Sequence, residues 1–262
     1  MQWAGDERGV SDVLGVMLVI AVVMIGIVSL VGFGVTSLSG SDLSETAVER
    51  DLTVLADEID RATVYTDTAT GVRTTELATA EVAESDDWIA VDESAGDVSL
   101  SVRTASDESV LLEESLGTLA YERPRSDLRI AYQGGMVVSG ETETPPAVVR
   151  SPELTHRTEK GVESVTMHLV QLAGSTQLSH EVQIRPTDVS DVYPPKLLEG
   201  DRELVLRIDT PDADGWERML RAQFPNEAEI TREGTVVKLQ YETPADGMFL
   251  HAYVHTVEID GR

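Results

Sequence analysis

The chain has 262 residues, with 20 basic and 47 acidic side chains and a formal net charge of −27. Such a charge repels phosphate and argues against nucleic-acid binding. The absence of cysteine excludes disulfides, thiol catalysis and zinc–thiolate sites. The acidic residues are spread along the chain, and the only lysines are Lys160, Lys196 and Lys238. This pattern favours the solvated acidic surface of a halophilic protein over an acidic tail or a disordered region.

A long uncharged run begins near the N-terminus. Residues 13–40 carry no charge, and the most apolar part, residues 13–35, is 23 residues long. As a helix this part would span roughly 35 Å, enough to cross the hydrocarbon core of a membrane. A secretory signal peptide has an apolar region of only about 7–15 residues. We therefore predict a transmembrane helix. Arg8 lies close to its start, which favours a cytoplasmic N-terminus and an extracellular C-terminal head.

Small residues within this run fall on one stripe of the predicted helix: Gly15, Gly26, Ser29, Gly32, Thr36 and Gly40. Small side chains let helices approach closely in lipid, where apolar surface alone gives no reward for association. Two interpretations stay open. The stripe is either a face that packs on neighbouring helices or the ordinary small-residue content of a membrane helix.

An amphipathic pattern follows the uncharged run. Apolar residues recur at helical spacing, at Val48, Leu52, Leu55, Ile59 and Ala62. Charged residues, Asp60 among them, fill much of the remaining helix surface. We predict one helix from about residue 11 to residue 65, bent near Gly40. Its first half would face lipid, and its second half would pack on an apolar partner, such as the protein's own head.

Beyond this helix the pattern changes to short strands and turns. Gly134 and Gly135 mark a turn or a bulge. Residues 165–172 and 177–184 form a predicted hairpin. Residues 185–201, which contain two adjacent prolines, read as a connector. Many short strands with frequent turns are typical of a β-sandwich.

The C-terminal part predicts a compact β-α-β-β unit. Residues 203–209 read as a strand, after which Thr210 is the expected N-cap of a helix with Pro211 at its first position. One face of that helix carries the apolar residues Trp216, Met219, Leu220 and Phe224. Two short strands follow, and residues 248–259 form a final strand.

The five histidines do not form a recognisable metal-binding pattern. His251 and His255 would suit a shared metal on a helix, but on a strand they lie roughly 13 Å apart. No nucleophile elbow, phosphate-binding loop or dinucleotide-binding fingerprint occurs. No carboxylate pair stands out for acid–base catalysis. We expect no cofactor, no metal site and no enzymatic activity.

The residues before the uncharged run, Arg8-Gly9-Val10-Ser11, resemble the cleavage site of archaeal type IV prepilins. Residues 6–18 resemble haloarchaeal pilins in particular, with Asp12 where those proteins usually have proline. The resemblance implies that a prepilin peptidase cuts after Gly9 and that the apolar segment stays on the mature protein. Residues 1–9 would then be the leader, and Val10 would be the new N-terminus.

The same resemblance implies assembly through the N-terminal helix, with these assembly residues: Asp12, Gly26, Ser29, Gly32 and Thr36. Asp12 would lie either near the new Val10 amine of a neighbouring subunit or hydrated at the membrane surface. The implied partners are the prepilin peptidase, other pilin subunits, the pilus assembly machinery and membrane lipid. Nucleic acid is not among them.

The expected fold class is α+β, with a long N-terminal membrane and stalk α-helix, a mainly β, sandwich-like head and a C-terminal β-α-β-β unit. The expected parts are the leader at 1–9, the helix at 10–65, the β-rich head at 66–190 and its C-terminal part at 191–262. The expected function is that of a minor, type IV pilin-like subunit of an archaeal cell-surface filament. The alternative is a membrane-anchored extracellular binding domain that keeps the pilin signal and does not polymerise.

Overall fold

A computed structural model describes residues 40–63, 73–76, 88–123, 128–141, 144–174 and 181–261. From Thr46 to Arg262 the described residues belong to one compact unit. The described part of the chain has two helices and 15 strands, which follow in chain order: α1 (Gly40–Thr63), β1 (Arg73–Glu76), β2 (Trp88–Asp92), β3 (Asp97–Arg103), β4 (Glu108–Ser115), β5 (Thr118–Arg123), β6 (Leu128–Gln133), β7 (Met136–Glu141), β8 (Ala147–Arg150), β9 (Leu154–Glu159), β10 (Val162–Gly174), β11 (Glu181–Leu198), β12 (Glu203–Asp209), α2 (Ala213–Gln223), β13 (Glu229–Glu233), β14 (Val236–Glu242) and β15 (Met248–Gly261).

The strands form three five-stranded sheets. Sheet A has the order β1-β11-β15-β10-β9, sheet B the order β2-β5-β6-β7-β8, and sheet C the order β13-β14-β12-β3-β4. Neighbouring strands are antiparallel except β10 and β15, which run parallel to each other. Strands from both sides of residue 190 share sheets A and C, because β15 pairs with β10 and β12 pairs with β3.

Sheet B separates two apolar cores. Its residues Ile130, Tyr132 and Val137 join one core with helix α1. Ala131 and Val138 join the other core, which contains α2 and sheet C. Because successive side chains of a strand point to opposite faces, these two cores lie on opposite faces of sheet B.

Sheet A contributes to both cores along its length. On β10, Val165, Met167 and Leu169 join the core with α2, whereas Val170 and Leu172 join the core with α1. The buried positions of β10 are odd-numbered up to Leu169 and even-numbered from Val170. Because alternate side chains of a strand point to opposite faces, the two cores lie on different faces of sheet A. Helix α1 therefore covers only one half of one face of this sheet, and the polar positions of β10 continue that face beyond the helix.

The amphipathic helix packs on the protein's own strands, as the apolar stripe predicts. The stripe residues Val48, Leu52, Leu55, Ile59 and Ala62 are all buried, the first four within one core with sheets A and B. Among the described residues there is no long N-terminal helix, and residues 46–63 belong to the same compact unit as the strands.

The expected fold class is therefore wrong. The described residues are mostly strand, and they form three sheets with one parallel pair where a two-sheet sandwich was expected. The predicted transmembrane segment, residues 13–35, lies outside the described residues. Of the helices that the structure does describe, neither is long and apolar enough to cross a membrane.

Two predictions about strand pairing are also wrong. Residues 165–172 and 177–184 do not form a hairpin, because β15 lies between β10 and β11 in sheet A. The predicted connector at 185–201 is mostly part of the long strand β11, whose pairing with β15 shifts register near Pro186, Asp191 and Tyr193. Such bulges accommodate proline, which cannot donate a backbone hydrogen bond to the ladder.

A buried glutamine joins several elements at the centre of the α2 core. Gln133 Nε2 donates to the Thr118 hydroxyl at 2.8 Å and to the Ala95 carbonyl at 3.2 Å. Its Oε1 accepts from the Thr210 hydroxyl at 2.5 Å and from Trp216 Nε1 at 3.0 Å. Thr210 is thus used inside the core, and α2 begins later than predicted, at Ala213 with Asp212 as N-cap. The full set of hydrogen bonds explains how Gln133 can be buried without an energetic penalty.

Candidate functional site at the end of helix α1

The C-terminal end of α1 lies beside a polar region that involves sheets A and B. Asp60 in the last turn of α1 is only 7% exposed, and Arg150 at the end of β8 forms an ion pair with it. Arg150 Nε also donates to Asp57 Oδ1 at 3.2 Å, and its Nη1 donates to the Gly135 carbonyl at 2.6 Å. A single guanidinium therefore connects the helix to the turn between β6 and β7.

That turn requires glycine. Gly134 and Gly135 have φ values of 59° and 97°, which side chains other than glycine adopt only with strain. Two successive residues with positive φ between antiparallel strands form the tight hairpin turn that matches strand twist. The prediction of a turn at these two glycines is confirmed, and the turn places the Gly135 carbonyl within reach of Arg150.

Burial dominates the electrostatics around this ion pair. Burial raises the pKa of Asp60, and the neighbouring Arg150 opposes this rise without cancelling it. Burial also holds the pKa of Tyr132 well above its ordinary value, with the Asp60 charge acting in the same direction. Both effects follow from placing charge in a medium that solvates it poorly.

Two histidines continue the face of sheet A on which α1 packs. His168 Nδ1 on β10 lies 3.5 Å from His255 Nε2 on β15, and the two ring planes differ by only 6°. The ring centroids are 5.7 Å apart, so the nitrogens face each other edge to edge. The two nitrogens can share one hydrogen bond, and the tautomers of the two rings decide which nitrogen donates.

His168 has two further neighbours that define its surroundings. Its ring stacks on Tyr253, with centroids 4.7 Å apart and planes 14° apart. Burial lowers the pKa of His168, the Asp60 charge opposes that shift, and His251 adds to it. The histidine is therefore held mainly neutral at pH 7, at the point where α1 stops covering the sheet.

His168 is one of the residues that line a groove of about 830 Å³. It is lined mostly by polar side chains of β9 and β10, among them Thr155, Arg157, Ser164, Thr166 and His168. The turn before β9 adds Glu153, and the end of α2 adds Gln223. The groove thus offers hydrogen-bond donors and acceptors close to the buried ion pair.

A second polar cluster lies on the opposite face of β9 and β10. His156 Nε2 lies 2.9 Å from Glu163 Oε2, and the Tyr241 hydroxyl donates to the same oxygen at 2.5 Å. Burial, with Glu163 adding to it, holds the pKa of Tyr241 well above its usual range. Phe224 packs beside His156, so this cluster is a satisfied contact within the fold.

The described residues contain no group of three or more histidine, aspartate or glutamate side chains placed to hold a metal ion. His251 and His255 share strand β15, and His255 faces His168 instead. The predicted processing and assembly residues lie outside the described residues: Arg8, Gly9, Val10, Asp12, Gly26, Ser29, Gly32 and Thr36.

Sequence reasoning missed Asp60, Arg150 and His168 as a group. The helical pattern assigned Asp60 to the polar side of α1, but the structure buries it, together with Asp51. Because α1 packs on two sheets, it buries a wider arc than a helix on one sheet would. The proximity of the buried Asp60 to Arg150, 90 residues later, has no local sequence signal.

Comparison with known proteins gives a family for the chain. No curated protein and no solved structure matches it. A protein-family model described as a family of unknown function, DUF7289, matches residues 8–260. Because this match extends over nearly the whole sequence, the chain belongs to the DUF7289 family of unknown function.

Proposed function

We propose that this protein is a minor, type IV pilin-like subunit of an archaeal cell-surface filament. The observation that carries the proposal is the order of three features in the sequence. A short charged leader ends in Arg8-Gly9-Val10, an uncharged run follows directly, and a large globular part follows the run. A prepilin peptidase would remove residues 1–9, and the uncharged run would stay on the mature protein.

The packing of α1 suggests that α1 stabilises the head, whereas filament contacts come from another part of the subunit. The apolar stripe of α1 is covered by the strands of its own head, so little of it is available to neighbouring subunits. Contacts that hold a filament together would then come from the run before Gly40. In that run Asp12, Gly26, Ser29, Gly32 and Thr36 are the proposed assembly residues.

The groove on sheet A favours one alternative. A polar groove on a large extracellular head suits a membrane-anchored binding domain that keeps the pilin signal and does not polymerise. Both functions share the same processing and the same anchor. They differ in where the mature protein accumulates.

Processing and location can be tested together in the native organism. We expect mass spectrometry to show that surface protein starts at Val10, and we expect filaments sheared from cells to contain it. Gly9→Leu should block the cut, because a bulky side chain replaces the residue before the scissile bond. Gly5→Leu is the matched control, since it changes a leader glycine away from that bond.

The outcomes separate the two functions. Mature protein in sheared filaments supports the filament subunit. Mature protein in membranes alone contradicts polymerisation and favours the anchored binding domain. An intact Met1 leader on surface-exposed protein would contradict both.

A further inference from the structure

We propose that the groove on sheet A binds a neutral carbohydrate of one or two sugar rings through the aligned side chains of β9 and β10. The inference does not depend on filament assembly, because it concerns a groove within the head alone. Its volume of about 830 Å³ falls within the size range of small-molecule sites.

Hydroxyl groups are aligned across β9 and β10. Thr155 on β9 pairs with Thr166 on β10, and Arg157 pairs with Ser164. Paired residues of an antiparallel ladder point to the same face, so these four side chains form a continuous polar surface. They lie on the half of sheet A that α1 leaves uncovered, next to His168.

These four side chains are available to contact a ligand. Within the part of the chain that the structure describes, the side chains of Thr155, Arg157, Ser164 and Thr166 make no hydrogen bond or ion pair. The second polar cluster, on the other face of the same strands, is in contrast internally satisfied. The groove therefore presents donors and acceptors that can exchange water for ligand hydroxyls.

The groove carries little net charge. Arg157, Glu153 and Glu159 all line the groove, and His168 is mainly neutral at pH 7. With His168 neutral, one positive and two negative side chains give the lining a formal charge of −1, although the whole chain carries −27. A strong cation or anion would find only partial compensation here. A sugar, whose hydroxyls both donate and accept, matches Arg157, the carboxylates, the hydroxyls and the Gln223 amide together.

Saturation-transfer NMR on the purified full-length protein tests this proposal. The detergent should lack a sugar headgroup, and the probes are glucose, galactose, mannose and N-acetylglucosamine. We expect transfer to at least one of these sugars at millimolar concentration. Thr166→Val keeps the side-chain shape and removes one hydroxyl, so it should raise the Kd roughly three- to tenfold.

Thr231→Val is the matched control, since Thr231 is an exposed strand residue of β13 in sheet C. It should leave the Kd unchanged, and both variants should keep the wild-type melting temperature within a few degrees. Acetate and spermidine serve as small charged probes. No transfer to any of the four sugars overturns the proposal. It is also overturned if only a charged probe binds, or if both variants lose affinity equally.

Discussion

Arg150 connects helix α1 to the turn between β6 and β7. It reaches Asp57 and Asp60 on α1 and the Gly135 carbonyl in the β6–β7 turn. The planar guanidinium has five donors in a fixed arrangement, which lets it serve several acceptors at once. A lysine, with a single point of charge, could not reproduce these contacts.

Replacing Arg150 by methionine should therefore destabilise the protein strongly. Asp60 would stay buried without its cation, and breaking such a pair costs about 3 kcal/mol or more in free energy of unfolding. Denaturant unfolding of the full-length protein at pH 7 measures this. Arg185→Met is the control, because Arg185 pairs with Glu258 at 2.9 Å where both are exposed. Exposed pairs contribute about 0–1 kcal/mol. Equal losses in the two variants would contradict a special role for Arg150.

His168 should make stability depend on pH. Its pKa in the folded state is lowered from the ordinary 6.5, so the folded state binds a proton less readily than the unfolded state does. The stability that this provides is complete above about pH 6.5 and is lost as the pH falls below that value. His168→Gln should therefore flatten the decline in melting temperature between pH 7 and pH 5. Parallel curves for variant and wild type would show that His168 does not contribute.

Asp60 has the opposite effect on the pH dependence of stability, and its effect falls at lower pH than that of His168. Its raised pKa gives stability that is complete below its ordinary value of 3.8 and is lost as the pH rises through the folded-state value. Wild type and His168→Gln both contain Asp60. The difference between their melting temperatures at each pH therefore excludes the Asp60 contribution, as long as Asp60 keeps its surroundings.

The site itself could be predicted only in part from single residues. The sequence showed that Gly134 and Gly135 make a turn, because two adjacent glycines signal positive φ. It could not show that Arg150 meets Asp60, since nothing local couples a strand end to a helix 90 residues earlier. The contact between His168 and His255 could not be predicted for the same reason, because the two residues become neighbours only through long-range strand pairing.

At the scale of elements, α1 holds sheets A and B together through its apolar stripe. Leu55 is fully buried in that stripe, whereas its neighbour Val54 is 45% exposed. Leu55→Ala should lower the free energy of unfolding by about 2–5 kcal/mol through lost burial and a cavity. Val54→Ala is the adjacent control and should change it by no more than about 0.5 kcal/mol. Thermal denaturation followed by circular dichroism compares the two, and similar losses would contradict the burial of the stripe.

Several elements lie where the sequence pattern predicts them, but the predicted pairing of strands is wrong. The strand at Glu203–Asp209 and the helix after it lie where alternation and helical spacing indicated. The pairing of β10 with β15 was missed, because a strand-to-strand contact of high sequence separation leaves no local pattern. The prolines of β11 led to the wrong prediction of a connector. Proline would interrupt a regular hydrogen-bonded ladder, but the register shifts in β11 accommodate it.

At the scale of the whole molecule, charge is the dominant property. Arginine forms most of the described ion pairs, but 47 acidic residues face only 20 basic ones. Acidic surface residues therefore repel one another across the molecule at low ionic strength. Molar salt shortens the Debye length to about 3 Å and removes most of that repulsion.

The full-length protein should consequently be most stable in molar salt. Its melting temperature should rise most steeply between 0.1 and 1 M KCl, where the Debye length falls from about 10 Å to about 3 Å, and should level off toward 3 M. Sucrose is the control, because it favours compact states without screening charge. A flat response to KCl, or an equal response to sucrose, would contradict electrostatic repulsion as the cause.

The position of β15 in sheet A sets the order in which the molecule can be completed. This last strand lies between β10 and β11, and its residues Val257 and Ile259 complete the core around α1. The apolar side of α1 is therefore fully covered only after β15 has been synthesised. Strand pairing between residues far apart in the sequence forms slowly, and apolar surface that is prone to aggregation stays exposed until it has formed. During biogenesis the nascent head would therefore need protection until β15 emerges, and a chain that lacks β15 would be left with an open core.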